Sequence, residues 1–93
     1  MVNCGTSNTT ISIEPNTLYK WGEVQTLSIS LTTPEDNSIV NEYMFEFVSG
    51  STATTLSLPD TIQWVSTPSV EANTTYQCSI MNNVGIIVSS YNL

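Results

Sequence analysis

The stretch "NEYMFEFVSG", residues 41–50, alternates with a period of two: Tyr43, Phe45 and Phe47 fall on one face of an extended chain, Glu42, Met44 and Glu46 on the other. Successive side chains of a strand point to opposite faces, so one buried and one wet face produce this pattern. The same period runs through most of the chain, and helical periodicity is nearly absent. In "TTISIEP", Ile11 and Ile13 share a face before Pro15 ends the run. In "VQTLSISLTT", Leu27, Ile29 and Leu31 point inward against Thr26, Ser28 and Ser30. "TPEDNS" then reads as a turn by composition.

Leu56 and Leu58 lead up to Pro59, with Ile62 and Trp64 beyond it. A proline cannot donate to a strand ladder, so a corner or a sheet edge is expected at Pro59. Tyr76, Cys78 and Ile80 alternate with Thr75, Gln77 and Ser79. Asn82, Asn83 and Gly85 tolerate positive φ, and "GIIVSSY" returns as the last strand of a hairpin. The expected fold is all-β: a small antiparallel β-sandwich of about seven strands, with immunoglobulin-like layering. At 93 residues the chain is one domain, 1–93, with residues 1–8 expected as a flexible N-terminal segment. The expected core holds Leu27, Ile29, Phe45, Phe47, Leu58, Tyr76 and Ile80.

"TTYQCSIMNNVGII" carries the Tyr-x-Cys spacing found near the second cysteine of immunoglobulin domains. The remaining framework is missing. Cys4 has only three residues ahead of it, too few for a preceding strand, and Trp21 lies 17 residues after it where about a dozen would be needed. A plain hairpin with Cys78 as a small apolar core residue is therefore the preferred reading. Cys4, placed before the first strand, is expected to stay unpaired with Cys78, since a bridge needs Cα atoms within about 7 Å.

Charge excludes whole classes of partner. Lys20 is the only basic residue against eight acids, for a net charge of −7. Binding nucleic acid through phosphates requires several Lys or Arg to release counterions, so no nucleic-acid partner is expected. Anionic membranes are disfavoured for the same reason, and no apolar run is long enough to span one. The first ten residues have neither a basic start nor an apolar centre, so they are not expected to act as a signal peptide. The 14 Thr, 13 Ser and 9 Asn make up 36 of 93 residues, which leaves a surface of hydroxyls and amides in place of charges.

Catalytic designs are equally constrained. With no His and no Arg, triads with a His base and phosphate clamps are absent. Two distant cysteines do not make a zinc site, and four glycines supply no phosphate loop. No catalytic, cofactor-binding or metal residue is assigned, and the chain is not expected to be an enzyme. Glu35, Asp36 and Asn37 could offer oxygens to Ca²⁺, but a solvated turn is the preferred reading. Asn8 and Asn73 begin glycosylation sequons, which arise readily by chance in a Thr-rich chain. Trp21, Trp64 and Tyr19 could stack on a sugar if exposed; burial is favoured for Trp64, which continues the Leu56, Leu58 and Ile62 set.

"EPNTLYKWGEV", "NEYMFEFVSGSTATTLSLPDTIQW" and "PSVEANTTYQCSIMNNVGII" resemble a small β-domain of structural proteins from phages that infect gut bacteria. The landmarks are the aromatic strand before Ser49-Gly50, Leu-x-Leu-Pro ahead of Ile-x-Trp, and Glu-Ala-Asn before Thr-Tyr. The resemblance implies a non-enzymatic virion structural protein, a decoration or fibre-base module bound to phage capsid, portal or tail proteins in multiple symmetric copies. It implies localisation in the virion after synthesis in the bacterial host cytoplasm, and an apolar role for Cys78. The alternative function is a host-receptor or glycan-binding β-sandwich module.

Overall fold

The computed structural model describes residues 2–7, 9–33, 41–65 and 68–91. Nine strands are present among them: β1 (Val2–Gly5), β2 (Thr10–Ile13), β3 (Leu18–Glu23), β4 (Thr26–Leu31), β5 (Glu42–Ser49), β6 (Thr55–Ser57), β7 (Gln63–Trp64), β8 (Thr74–Met81) and β9 (Val84–Tyr91). They form a six-stranded sheet in the order β1-β3-β5-β8-β9-β7 and a three-stranded sheet in the order β2-β4-β6. The all-β class follows the alternation in the sequence.

The inward faces match that alternation. Tyr43, Phe45 and Phe47 are buried in β5 while Glu42, Met44 and Glu46 are half-buried on its other face. Tyr76, Cys78 and Ile80 are buried in β8. Ile13, Leu27 and Ile29 of the small sheet join Tyr19, Trp21, Phe45, Phe47, Tyr76 and Ile80 of the large sheet in one core. Leu58, expected in that core, packs against it half-buried. A row of rings runs through the centre: Tyr19–Trp21, Trp21–Phe45, Phe45–Phe47 and Phe47–Tyr76 have centroids 6.3, 6.5, 6.2 and 5.3 Å apart. Such spacings fall within the range in which aromatic pairs attract beyond simple area burial.

Two expectations are corrected. Residues 1–8 are not simply a flexible lead: Val2–Gly5 form β1, an edge strand parallel to β3, and Cys4 is buried in the core. Nor is the pairing antiparallel throughout. β1-β3, β3-β5, β2-β4, β4-β6 and β7-β9 pair parallel, and only β5-β8 and β8-β9 pair antiparallel.

The reason is the route of the chain. From β1 to β7 every connection passes from one sheet to the other, so alternate strands re-enter the same sheet running in the same direction. Pro15 and Asn16 turn β2 toward β3, with Asn16 at φ 62°, a conformation Asn tolerates. Val24 and Gln25 alone join β3 to β4. A short connection between two strands suggests a hairpin, but period two states which side chains face inward and not which strand is the neighbour. Only at Asn82-Asn83, with φ 53° and 62°, does the turn close a true hairpin, as two consecutive left-handed residues require.

Candidate interaction face

The large sheet packs one side against the core, and among the described residues no strand covers the other. Cross-strand register arranges this outer side in rows. One row runs Leu18–Met44–Ser79–Ile86 across β3, β5, β8 and β9; the next runs Lys20–Glu46–Gln77–Val88; a third holds Glu42–Met81–Val84. The charged groups Lys20, Glu42 and Glu46 lie on β3 and β5, and the most exposed apolar ones lie on β8 and β9. Met81, Val84, Ile86 and Val88 are 44, 41, 51 and 54% exposed, which makes this the largest cluster of open apolar side chains among the described residues. A shallow groove of about 360 Å³ runs across the middle of the face, lined by Leu18, Met44, Gln77, Ser79, Ile86 and Val88.

The charges on this face are already engaged. Lys20 Nζ lies 3.7 Å from Glu46 Oε2, and Ser79 Oγ donates to Glu42 Oε2. The Lys20–Glu46 pair is half in water and contributes well under 1 kcal/mol. The Lys20–Glu46 pair cancels, while Glu42 keeps its negative charge on β5.

A larger groove of about 470 Å³ opens at one end of the sandwich, lined among others by Ser30, Thr32, Asn41, Tyr43, Thr61 and Asn82. It presents hydroxyls and amides, and the Tyr43 hydroxyl donates to the Thr32 carbonyl. Among the described residues no charged side chain lines it. Among the described residues no three His, Cys, Asp or Glu come together in a way that could hold a metal ion. The Glu35-Asp36-Asn37 turn lies outside the described residues, as does Asn8. None of the described residues forms a helix long and apolar enough to cross a membrane.

Of the residues singled out for stacking, Tyr19 and Trp21 are closed to a ligand, while Trp64 lines a groove of about 370 Å³ with Thr54, Leu56, Leu58, Pro68 and Val70. Trp21 is 1% exposed, and its indole Nε1 donates to the Ser7 carbonyl at 2.8 Å. Tyr19 is buried, and its hydroxyl accepts the Glu14 amide at 3.0 Å. Trp64 lies half-buried over Gly85: a Cβ at residue 85 would meet its ring at 2.6 Å. The bare Gly85 backbone is what lets the indole lie flat there.

Both cysteines are free and buried. Cys4 lies on β1 and Cys78 on β8, with β3 and β5 between them. Three strand spacings come to about 14 Å, twice the reach of a disulfide. Burial pushes the Cys78 thiol up to about 12 and raises the Cys4 thiol as well. Neither is an activated nucleophile, since reactive thiols have lowered values in electropositive, open surroundings.

The outer apolar row was not foreseen from the sequence. In "MNNVGIIVSSY" the run Ile86-Ile87-Val88 puts apolar groups on both faces, and that break in alternation was the available signal. Comparison with protein-family models, with curated proteins and with solved structures finds no match to this chain.

Proposed function

We propose that this chain is a non-enzymatic phage virion structural protein, a decoration or fibre-base module that binds capsid, portal or tail proteins through the outer face of its six-stranded sheet. The observation that carries the reading is the open row Met81, Val84, Ile86 and Val88 beside a half-buried groove. A monomer that worked alone would gain nothing from leaving four large apolar side chains together in water. The phage assignment rests on the sequence resemblance over β2 to β9; the surface supplies the mode of action.

Magnitudes shape the proposal. Covering the exposed halves of these four side chains contributes about 1 kcal/mol each. Association costs several kcal/mol in lost translation and rotation before any gain appears. One such face therefore holds a partner weakly, and repeated copies on a symmetric particle make the attachment durable. One lysine cannot neutralise a phosphate backbone, so nucleic acid is no partner in this reading. With both thiols buried and no histidine, the working chemistry is contact, not catalysis.

Quantitative mass spectrometry of purified particles tests this. The chain is expected at a fixed copy number that is a multiple of the local particle symmetry. Its complete absence from particles, together with tight binding to isolated host polysaccharide, would replace this reading with a receptor-binding one.

A further inference from the structure

We infer that the free edge of β9 pairs with the same edge of a second copy of this chain, about a two-fold axis, so that two six-stranded sheets join into one. The inference rests on the reading of the outer face as a protein-contact surface and assigns a second copy to the strand edge beside it.

β8 pairs with β9 along its whole length, from Val84 to Tyr91. On the other side, β7 reaches only Val84 and Gly85. Among the described residues no strand covers Ile86–Tyr91 there. The direction of the backbone groups is fixed by β7: the Gln63 amide donates to the Asn83 carbonyl at 2.7 Å and the Val65 amide to the Gly85 carbonyl at 3.0 Å. In an antiparallel ladder every second residue turns its N–H and C=O to the same side. Ile87, Ser89 and Tyr91 therefore aim their backbone groups at the open edge, and Ser89 is exposed.

Open edges invite pairing, and natural sheets blunt them with short strands, bulges, prolines or charges. The other edges of this molecule are blunted. β2 has four residues and β6 three, and Pro15 and Pro59 follow each after one intervening residue. β1 has four residues, with its register broken between Asn3 and Gly5, where Gly5 sits at φ 56°. β9 has eight residues, "VGIIVSSY", with no proline and no charge. An extended match for β9 within a neighbouring copy exists only in β9 itself.

A two-fold axis makes that pairing antiparallel without further adjustment. Centred on Ser89, it sets Ser89 opposite Ser89 and Ile87 opposite Tyr91 of the partner. Two chains of net charge −7 repel at a distance, but the edge brings no charges together. A foreign partner chosen by charge would find none on this edge to read. The join also places the Ile86 and Val88 rows of two copies side by side, which extends the apolar contact face.

The test uses the full chain in sedimentation velocity with residue-resolved amide exchange. The expected result is a concentration-dependent species of twice the 10.2 kDa chain mass, with the amides of Ile87, Ser89 and Tyr91 protected. Ser89→Pro removes only an edge-facing N–H and is expected to stay folded but monomeric. Ser89→Lys and Ser89→Glu keep the backbone donor; each alone should dimerise about five-fold more weakly than the parent, and their mixture more tightly than either. A chain that stays monomeric at millimolar concentration overturns the inference. So does a dimer whose three edge amides exchange freely, or an edge protected only when particle proteins are added. In those cases the contact-face reading still stands if replacing Ile86 and Val88 abolishes particle binding.

Discussion

The Tyr76 hydroxyl accepts a hydrogen bond from the Glu71 amide at 2.6 Å and donates one to the Ser69 carbonyl at 3.2 Å. It thereby ties the start of β8 to the chain five to seven residues upstream. This is the tyrosine-corner arrangement that accompanies Tyr-x-Cys in immunoglobulin-like sandwiches. Tyr19 repeats half of the device, accepting the amide of Glu14, also five residues upstream. Removing the Tyr76 hydroxyl leaves two part-buried backbone groups without a partner. Tyr76→Phe is expected to lower unfolding free energy by about 1–3 kcal/mol, and Tyr19→Phe by about 1 kcal/mol, in equilibrium denaturation.

Phe45 sits at the middle of the ring row, fully buried between Trp21 and Phe47. Phe45→Ala removes both contacts and leaves a cavity that the flanking strands cannot close. A loss of about 3–5 kcal/mol is expected, measured by urea titration at constant m-value.

Gly85 is reserved for the Trp64 ring. Its added Cβ in Gly85→Ala would lie 2.6 Å from the indole, so the ring must leave. The variant is expected to lose about 1–3 kcal/mol and to show red-shifted tryptophan emission. Trp64→Ala in the same chain should remove most of the additional cost, which a thermal melt of the double variant reads directly.

Alkaline pH reports on Cys78. Its thiol is raised from 9.0 to about 12 by burial, so above pH 9 the unfolded chain sheds a proton that the folded chain keeps. Stability is full below pH 9 and falls as pH rises toward 12, by at most about 1.4 kcal/mol per pH unit from this group. Cys78→Ala is expected to lose that component of the slope, while Cys4 and Tyr43, both raised by burial, contribute to both proteins alike. At pH 8 neither thiol of the folded chain should react with a disulfide reagent, and both should react in urea.

How far the sequence reached depended on what each pattern encodes. Alternation encodes the inward face, and so Leu27, Ile29, Phe45, Phe47, Tyr76 and Ile80 all lie in the core. It does not encode neighbours, and so the parallel pairs of β3 with β5 and β2 with β4 were illegible. β3 is hard to read as a strand because its alternation is short: Tyr19 and Trp21 flank Lys20, with Pro15, Asn16 and Gly22 close on either side. Cys4 was misplaced because a short polar lead resembles a free end, whereas its side chain fills a core position on β1. Tyr-x-Cys, whose immunoglobulin framework fails at Cys4 and Trp21, still marks a tyrosine that ties the start of β8 to the chain upstream. The outer row on β9 was written in Ile86-Ile87-Val88, where one strand is apolar on both faces.

Particle binding by an outer-face variant tests the central claim most directly. Ile86→Glu with Val88→Glu alters two side chains that are half in water, so the circular dichroism spectrum and melting temperature should stay close to those of the parent. Added to particles depleted of this chain, the parent is expected to restore a stoichiometric layer or attachment, and the double variant to bind at least ten-fold more weakly, about 1.4 kcal/mol. Parent and variant binding particles equally, with the variant folded, would contradict the assignment of this face.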